Sequence, residues 1–351
     1  MTRRRDHSGR PTLSLRALAA FLLLAAPACG ERPSPPPEDV SGLADHHVHL
    51  LSPALVADWK SLGVPFSRPD SVYTSPAGLG VGAALLVPMS HLYGNEEFRG
   101  ALGLSLEQEH AAVRRENDYV AASASGFPGT AVALCSVDIS RPYAWDEIRR
   151  CRNALGVRGL KLHLASAGID PREESHLERV ARVAAWADSA GVALLVHFDP
   201  QRRGVELEDV QRFIDRVIAP HPGLTLVIAH LGGSGGYGAW SRSVYRTFAA
   251  WLRAEEAGGR PRAGIHFDLS AVWLERESEG VPASTAAEGR ALAEDIREFG
   301  TARLLLGSDY PVFELAGATA ALRAGSGLGA DEWQELRANR LALLDPAGRE
   351  P

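Results

Sequence analysis

Polar side chains that can bind a metal ion follow several separate apolar runs, and this pattern constrains the fold more than any other feature. The runs end in Asp45-His46-His47-Val48-His49, Lys161-Leu162-His163, His197, His230 and Asp309. Residues i and i+2 of a β-strand lie on one face, so His47 and His49 point the same way, as two ligands of one metal must. Imidazole and carboxylate groups suit a divalent ion such as zinc. The pattern therefore predicts a metalloenzyme built on strands whose ends converge.

Short apolar runs alternate with longer amphipathic stretches along the rest of the chain. Amphipathic patterns predict helices at 176–190, 206–218 and 286–299, and a closing helix at 331–344. Strands with intervening helices imply parallel pairing through right-handed crossovers. The candidate strands fall at residues 43–50, 81–88, 130–137, 157–164, 192–198, 224–230, 263–269 and 302–308.

We therefore expect an α/β fold with a single domain, a closed (β/α)8 TIM barrel whose chemistry lies at the C-terminal ends of the strands. An open doubly wound sheet is the competing architecture. It would place ligands at one switch point rather than on strands one, four, five, six and eight together. Two long insertions, 51–77 and 89–104, would lie on the catalytic face, and the second offers three candidate specificity residues, His91, Tyr93 and Arg99.

The composition excludes one class of partner. The chain has 351 residues, 45% of them hydrophobic, and a net charge of −6. Phosphate binding needs a clustered positive surface, and this sequence has no basic block beyond its N-terminus, so we expect no nucleic-acid partner. We expect a small-molecule substrate, and the sequence is compatible with an oligomer.

The first 28 residues have the character of a targeting segment. Arginines precede an apolar stretch, 17–28, that is too short to span a bilayer comfortably. The stretch runs into Cys29 and resembles a bacterial lipoprotein signal, which implies membrane contact only through a lipid on Cys29. Plain secretion with cleavage near Ala28 is the alternative, so we expect a location in the cell envelope, the periplasm or outside the cell. The proline-rich residues 29–41 predict a stiff linker to a domain over 42–345.

Two further cysteines lie within the predicted domain. Cys135 stands in an apolar run and Cys151 in a predicted helix. We expect both to be buried as small apolar side chains. An oxidising compartment would allow a disulfide between them, and that alternative stays open.

Lysine is almost absent from this chain. It has 35 arginines and only two lysines, Lys60 and Lys161. Where positive charge alone is needed the chain uses arginine, so a lysine beside the histidines indicates a role for its primary amine, a compact charge with a tunable pKa. The alternative is that Lys161 survives there by chance.

The ordered set of motifs resembles the amidohydrolase superfamily. The motifs are Asp45-His46-His47-Val48-His49, Gly159-Leu160-Lys161-Leu162-His163, Val196-His197-Phe198, Ala229-His230-Leu231-Gly232-Gly233 and Gly307-Ser308-Asp309-Tyr310-Pro311. The resemblance covers roughly residues 42–345. Within the superfamily, the motifs are most similar to the amidohydrolase-related branch of hydrolases, lactonases and non-oxidative decarboxylases. It implies one divalent metal held by His47, His49, His197 and Asp309.

The resemblance also implies roles for three side chains. His230 would polarise a substrate carbonyl or help to deprotonate water, and Asp309 would carry the water proton to the leaving group. Lys161 would bind a substrate carboxylate or stabilise an oxyanion. In binuclear relatives a lysine at this strand is carboxylated and bridges two metals. We expect the form with one metal, zinc by ligand type, although Mn²⁺ or Fe²⁺ would suit the same ligands.

Several neighbouring polar residues have expected supporting positions. Asp45 is in phase with His47 and would orient an imidazole ring from a deeper layer. His163 shares the face of Lys161, as a supporting histidine or as part of the pocket wall. His46 is out of phase and is expected to be structural. Alternation also puts three polar residues on one face of the seventh strand, with the direction of that face left open: His266, Asp268 and Ser270.

Together these expectations describe an envelope-anchored, metal-dependent hydrolase that attacks an ester, lactone or amide carbonyl through a metal-activated water. A non-oxidative decarboxylase of the same branch, with the same metal ligands, is the first alternative. A catalytically inactive barrel that serves as a binding lipoprotein is the second.

Overall fold

The computed structural model describes residues 35–63, 77–198, 204–278 and 280–345. The predicted signal peptide, Cys29, the start of the linker and residues 64–76 of the first insertion lie outside the described residues. Within the described part of the chain, no helix is long and apolar enough to cross a membrane.

Short parallel strands form the centre of the fold. Each pairs with the next in the orders β1-β2-β3 and β4-β5-β6-β7-β8-β9. Only Leu134 separates β3 from β4, and its N–H donates to the carbonyl of Leu86 over 2.8 Å, so these two segments fill one of eight barrel positions. The strands are β1 (Ala44–Leu50), β2 (Ala83–Pro88), β3 (Ala131–Ala133), β4 (Cys135–Ser136), β5 (Gly159–His163), β6 (Ala193–His197), β7 (Leu226–Ile228), β8 (Ile265–Asp268) and β9 (Leu304–Leu305).

The barrel closes between its first and last strands through single hydrogen bonds rather than a regular ladder. The N–H of His46 donates to Leu306 O over 3.1 Å, and the N–H of His49 donates to Tyr310 O over 2.8 Å. The chain therefore forms the expected single-domain (β/α)8 barrel, with every strand ladder parallel.

Helices cover the outside of the barrel. The predicted helix at 206–218 is α-helical only to Phe213 and continues as a π-helical turn, Ile214–Ile218. The predicted closing helix at 331–344 is too long, because Asn339 leaves the helix and its Nδ2 donates to two carbonyls of the last strand region. The helices are α1 (Pro53–Ser61), α2 (Glu96–Ala101), α3 (Leu106–Ser125), α4 (Ala144–Ala154), α5 (Glu174–Ala190), α6 (Leu207–Phe213), α7 (Ala239–Ala257), α8 (Ala286–Phe299), α9 (Leu315–Ser326) and α10 (Ala330–Ala338).

Strand alternation decides which side chains face the barrel interior. Along β5, Leu160 and Leu162 belong to the apolar layer between strands and helices, so Lys161 and His163 face inward. A second apolar cluster fills the interior away from these polar groups and is closed by the C-terminal turn Ala342–Leu344. Lys161 and His163 thus belong to an inward-facing polar layer near the C-terminal ends of the strands.

Cys135 in β4 and Cys151 in α4 form a disulfide. The expectation that the two thiols would be buried without a bond is wrong, although both side chains are buried. Helix α4 packs back against the strand that precedes it, and this brings the two Cα atoms to 6.3 Å, within the range that a disulfide spans.

The last residues of the predicted linker pack against the C-terminal helices. The carboxylate of Glu38 accepts hydrogen bonds from Arg337 at 2.8 Å, Arg323 at 2.9 Å and the indole of Trp333 at 3.2 Å. Because Glu38 precedes β1, it lies toward the end of the barrel opposite the C-terminal strand ends.

Candidate metal centre

Two histidines of β1 and one aspartate after β9 bring three ligand atoms together. His47 Nε2 lies 3.2 Å from His49 Nε2. Asp309 Oδ1 lies 3.3 Å from His49 Nε2 and 3.6 Å from His47 Nε2. The expectation that His47 and His49 share one face is confirmed, and Asp309 joins them.

A turn after β9 carries Asp309 back over the end of the barrel. β9 ends at Leu305, so the predicted strand at 302–308 is too long, and Asp309 stands beyond its end. Its φ of +60° is in the left-handed region, and its N–H donates to the carbonyl of His47 over 2.9 Å. Burial favours the neutral carboxyl, but the hydrogen bond from His49 and the nearby rings hold the pKa of Asp309 well below its usual range.

His230 also lies past the end of its strand. β7 ends at Ile228, and His230 follows in a turn with φ of +53°. Its N–H donates to Asp268 Oδ1 over 2.9 Å, and its ring Nδ1 lies 2.8 Å from the carbonyl of Ser270. These two bonds hold the ring of His230 parallel to that of His47, with 5.0 Å between the ring centres.

Asp268, at the end of β8, is the main support of the site. Its Oδ2 accepts a hydrogen bond from His47 Nδ1 over 2.9 Å, and its Oδ1 accepts from the N–H of His230 and the hydroxyl of Ser270. Burial opposes ionisation, but His47 and His230 hold the pKa of Asp268 well below its usual range. The sequence pattern placed Asp268 and Ser270 on one face without showing that this face points inward.

Asp45 and His46 have structural positions. The expectation that Asp45 orients an imidazole ring is wrong, because its Oδ1 accepts from the backbone N–H groups of His47 and Ser308 instead. Burial raises the pKa of Asp45 to about 7. The structural role expected for His46 is confirmed, since its Nδ1 bonds to Leu306 O and its Nε2 accepts from Leu341 N.

Lys161 is buried beside the ligand atoms. Its Nζ donates to His47 Nε2 over 3.2 Å, and only 1% of the residue is exposed. Burial lowers its pKa from 10.5 to about 8, against the attraction of Asp268 and Asp309. No carboxylate of the described chain forms an ion pair with this ammonium group.

A row of imidazoles extends from the ligand atoms along the cavity wall. His197 stacks on His163 with 4.1 Å between ring centres, and His163 lies 5.2 Å from His91. Burial lowers the pKa of all three rings well below the usual value, so each is neutral. His163 therefore lines the pocket next to Lys161.

Hydrogen bonds to acceptors behind the rings set the tautomers at the centre. His47 and His230 each donate from Nδ1 to the acceptors described above, and His49 Nδ1 donates to Val87 O over 3.3 Å. Each ring therefore keeps a lone pair on Nε2 that a metal ion could bind. Burial lowers the pKa of His47 to about 3, so this ring is neutral, as a metal ligand must be.

This donor set fits a divalent metal ion. Two imidazole lone pairs and one carboxylate converge at His47, His49 and Asp309. The Nε2 of His197 is buried without a hydrogen-bond partner among the described residues, which leaves it available to bind a cation. His197 lies outside the two groups whose ligand atoms are all within 4.8 Å of one another, so its role as fourth ligand stays a prediction.

The ligand atoms open into a cavity at the C-terminal end of the barrel. Of the three specificity candidates only His91 lines it. Tyr93 instead donates its hydroxyl to Asp58 over 2.6 Å, and Arg99 lies near Glu109. The lining residues are His49, Leu51, Trp59, Met89, His91, Lys161, His163, His197, His230, Ser234, Asp309, Pro311 and Val312.

Comparison with known proteins identifies the family and fold that this chain resembles. A family model described as Amidohydrolase matches residues 44–335. No curated protein sequence matches the chain. The solved structure of 5-carboxyvanillate decarboxylase LigW from Sphingomonas paucimobilis is similar, with 16% identity, a TM-score of 0.52, and coverage of 86% of this chain and 98% of that one.

Two other solved structures show the same likeness. For 2,6-dihydroxybenzoate decarboxylase from Rhizobium the identity is 15% and the TM-score 0.54, over 87% of this chain and 99% of that one. The third structure is 5-carboxyvanillate decarboxylase from Novosphingobium aromaticivorans, complexed with manganese and 4-hydroxy-3-methoxy-5-nitrobenzoic acid. Its identity is 14% and its TM-score 0.54, and the match covers 87% of this chain and 96% of that one. At these identities the likeness establishes the barrel fold.

Proposed function

Because this chain belongs to the amidohydrolase family, we propose that it is a metal-dependent, non-oxidative decarboxylase of a small unsaturated carboxylate. The observation that carries the proposal is the buried ammonium group of Lys161, which lies beside the ligand atoms without a carboxylate partner in the described chain. Such a group favours an anionic substrate. The similar solved structures support the choice of reaction, because they are decarboxylases of 5-carboxyvanillate and 2,6-dihydroxybenzoate.

The cavity walls also favour decarboxylation. Leu51, Trp59, Met89 and Val312 provide apolar surface beside the charged groups. When the bond to CO₂ breaks, the localised charge of a carboxylate spreads into a π system, and a site with little water favours that change.

The residues supply a place for the proton that replaces CO₂. The reaction adds one proton to the carbon, and the electrons of the broken C–C bond restore the unsaturated system as CO₂ leaves. Asp309 and the Nε2 of His230 both line the cavity and can hold and deliver that proton. Lys161 holds an anionic oxygen of the substrate in position.

One divalent metal completes the site in this proposal. His47, His49, His197 and Asp309 would hold it, with Lys161 as a substrate contact. When bound, the metal supplies positive charge that orients substrate oxygens and stabilises developing negative charge. Zinc is expected from the ligand types, and manganese is present in a similar decarboxylase structure.

The test measures the release of CO₂ by the mature protein loaded with zinc or manganese. The first substrates to test are 2,6-dihydroxybenzoate and 5-carboxyvanillate. We expect metal-dependent release together with about one metal per chain by mass spectrometry. Two metals per chain would instead support carboxylated Lys161. Lack of CO₂ release from a panel of hydroxylated and enolic carboxylates would refute the decarboxylase.

Hydrolysis of an ester, lactone or amide is the second candidate. Three neutral imidazoles and one carboxylate would leave net positive charge on a divalent ion, which favours the ionisation of water. Turnover of lactones or esters, without CO₂ release from carboxylates, would favour this reaction. A chain that binds metal and ligand but turns over neither class would be the inactive binding lipoprotein.

We also propose that the protein is anchored to the cell envelope through Cys29. A disulfide between Cys135 and Cys151 supports an oxidising compartment. Labelling with a radioactive fatty acid should mark the natural chain and not a Cys29→Ala variant. Equal labelling of both chains would refute the anchor.

A further inference from the structure

We propose that His91 and Lys161 form an anion subsite in the cavity wall, distinct from the metal-ligand atoms, that holds the carboxylate of an aromatic or similarly planar ligand. The subsite deepens the proposed function, because it specifies how the substrate's acidic group is recognised. Its two residues lie outside the ligand set of the proposed one-metal site.

The two residues are neighbours because of the strand register. Ser136 in β4 pairs directly with Lys161 in β5, about 5 Å away across the sheet. His91, in the short 3₁₀ turn Ser90–Gly94 after β2, lies over Ser136, with 2.9 Å between its Nδ1 and the serine Oγ. Ser136 thus contacts His91 and pairs with Lys161, and both of these residues line the cavity.

The contact with Ser136 determines what His91 offers to a ligand. The described chain provides no acceptor for the Ser136 hydroxyl other than His91 Nδ1, so the hydroxyl donates there. The ring hydrogen of His91 is then on Nε2, which makes this nitrogen a donor on a residue that lines the cavity. The Nε2 atoms of His47, His49 and His230 carry lone pairs instead, so these rings offer acceptors to a cation, whereas His91 and Lys161 offer donors to an anion.

Ser136 is itself held rigidly. Its N–H donates to Asn117 Oδ1 over 3.0 Å, and its carbonyl accepts from Asn117 Nδ2 at 3.1 Å and from the hydroxyl of Ser90 at 2.7 Å. All three residues are fully buried. A donor fixed by such a network needs little reorganisation when a ligand binds.

Both donors of the proposed subsite lack an anionic partner within the part of the chain that the structure describes. The Nε2 of His91 is buried with no hydrogen-bond partner in the described chain, and His91 is only 1% exposed. Among the described residues, Lys161 donates only to the neutral Nε2 of His47, for which a metal would compete. Buried donors of this kind are destabilising unless satisfied, and a carboxylate can accept from both at once.

The walls around the subsite select the shape of the ligand. Trp59, Met89, Pro311 and Val312 line the same cavity as the two donors. Apolar walls around two convergent donors suit a flat hydrocarbon group that carries one carboxylate. Benzoate is the simplest such probe, and benzamide is its neutral counterpart.

The test is calorimetric titration of benzoate and benzamide at pH 7 into the mature chain, with and without bound zinc. We expect benzoate to bind at least about tenfold more tightly than benzamide in both metal states, because each charge-assisted hydrogen bond contributes about one order of magnitude. His91→Phe and Lys161→Met should each weaken benzoate binding by about tenfold and leave benzamide nearly unchanged. Ser136→Ala should give a smaller loss.

One control tests whether His91→Phe remains folded, and a second tests whether the loss of affinity is specific to the subsite. The metal content of His91→Phe should equal that of the natural chain. Tyr93→Phe alters the same turn outside the cavity and should leave benzoate affinity unchanged. Benzoate affinity that does not change in His91→Phe, or that exists only when metal is bound, would overturn the subsite.

The result does not depend on turnover. If the protein binds benzoate through His91 but releases CO₂ from no carboxylate, the subsite would be supported and the proposed reaction would be refuted. If the protein releases CO₂ but its benzoate affinity is the same in His91→Phe, the subsite would be refuted and the proposed reaction would stand.

Discussion

The Nδ1–H of His47 donates to Oδ2 of Asp268 over 2.9 Å, and this bond joins the first strand of the barrel to the end of β8. Neither side chain is exposed to solvent. Asp268 thereby sets the tautomer of His47 and turns its Nε2 lone pair toward Asp309 and His49.

Asp268→Asn should weaken metal binding about 10- to 100-fold. Oδ1 of Asp268 already accepts from the N–H of His230 and from Ser270, so the new NH₂ group would have to face His47 Nδ1. That ring would then carry its hydrogen on Nε2 and lose the lone pair that binds metal. Competition with a chelator would measure the metal affinity, and Asp146→Asn, at an exposed carboxylate, is the matched control.

Asp309→Asn should lower turnover at least about 100-fold while the fold survives. The substitution removes a ligand charge and a proton carrier from a turn whose backbone bond to His47 does not involve the side chain. Turnover at saturating metal and the circular dichroism spectrum are the two measurements. A folded variant that retains full activity would refute the role of Asp309.

The stability of Glu116→Gln relative to the natural chain should be higher at pH 8 than at pH 4. Burial raises the pKa of Glu116 from 4.5 to about 6, so the folded chain binds this proton more tightly than the unfolded chain. The contribution of Glu116 to the free energy of unfolding is therefore full below pH 4.5 and is lost as the pH rises through 6, by about 2 kcal/mol. Glutamine keeps an oxygen for the N–H of Ser52, which bonds there at 2.9 Å.

Urea unfolding of both chains at pH 4 and pH 8 measures this change. The stability difference between Glu116→Gln and the natural chain should shift by about 2 kcal/mol in favour of the variant. Glu107→Gln, at an exposed position of the same helix, should show no comparable shift. An equal difference at both pH values would contradict the prediction.

Cys151→Ser should lower the free energy of unfolding by about 3 kcal/mol, because the disulfide to Cys135 closes a loop of 16 residues. Urea unfolding with and without a reductant gives the value. The reductant should destabilise the natural chain by a similar amount and leave the variant unchanged. If the natural chain unfolds at the same urea concentration in both conditions, the bond does not stabilise the fold.

Gly325→Ala should destabilise the protein by about 1–3 kcal/mol, because its Cβ would enter the indole ring of Trp273. Gly317 lies in the same helix, α9, with open space where a Cβ would be. Gly317→Ala should therefore be neutral or stabilising by up to about 1 kcal/mol. Thermal unfolding of the two variants compares a crowded and an uncrowded glycine of the same helix. Similar unfolding midpoints would contradict the predicted clash with Trp273.

The sequence predicted some members of the site better than others. His47 and His49 follow from the two-residue period of one strand, and Lys161 follows from its place on another. Asp268 did not follow, because alternation defines two faces of a strand without saying which one the barrel encloses. His91 was only a loop candidate, since nothing local shows that its turn is buried against Ser136.

What the sequence determined by itself is therefore local: strand positions, helix patterns and the shared face of His47 and His49, all set by periodicities of two and 3.6 residues. Tertiary structure decided the rest. His230 and Asp309 reach the site through left-handed turns that long-range hydrogen bonds stabilise, and Cys135 meets Cys151 only when a helix packs on its strand. Those contacts depend on distances between segments far apart in the chain, which no local pattern encodes.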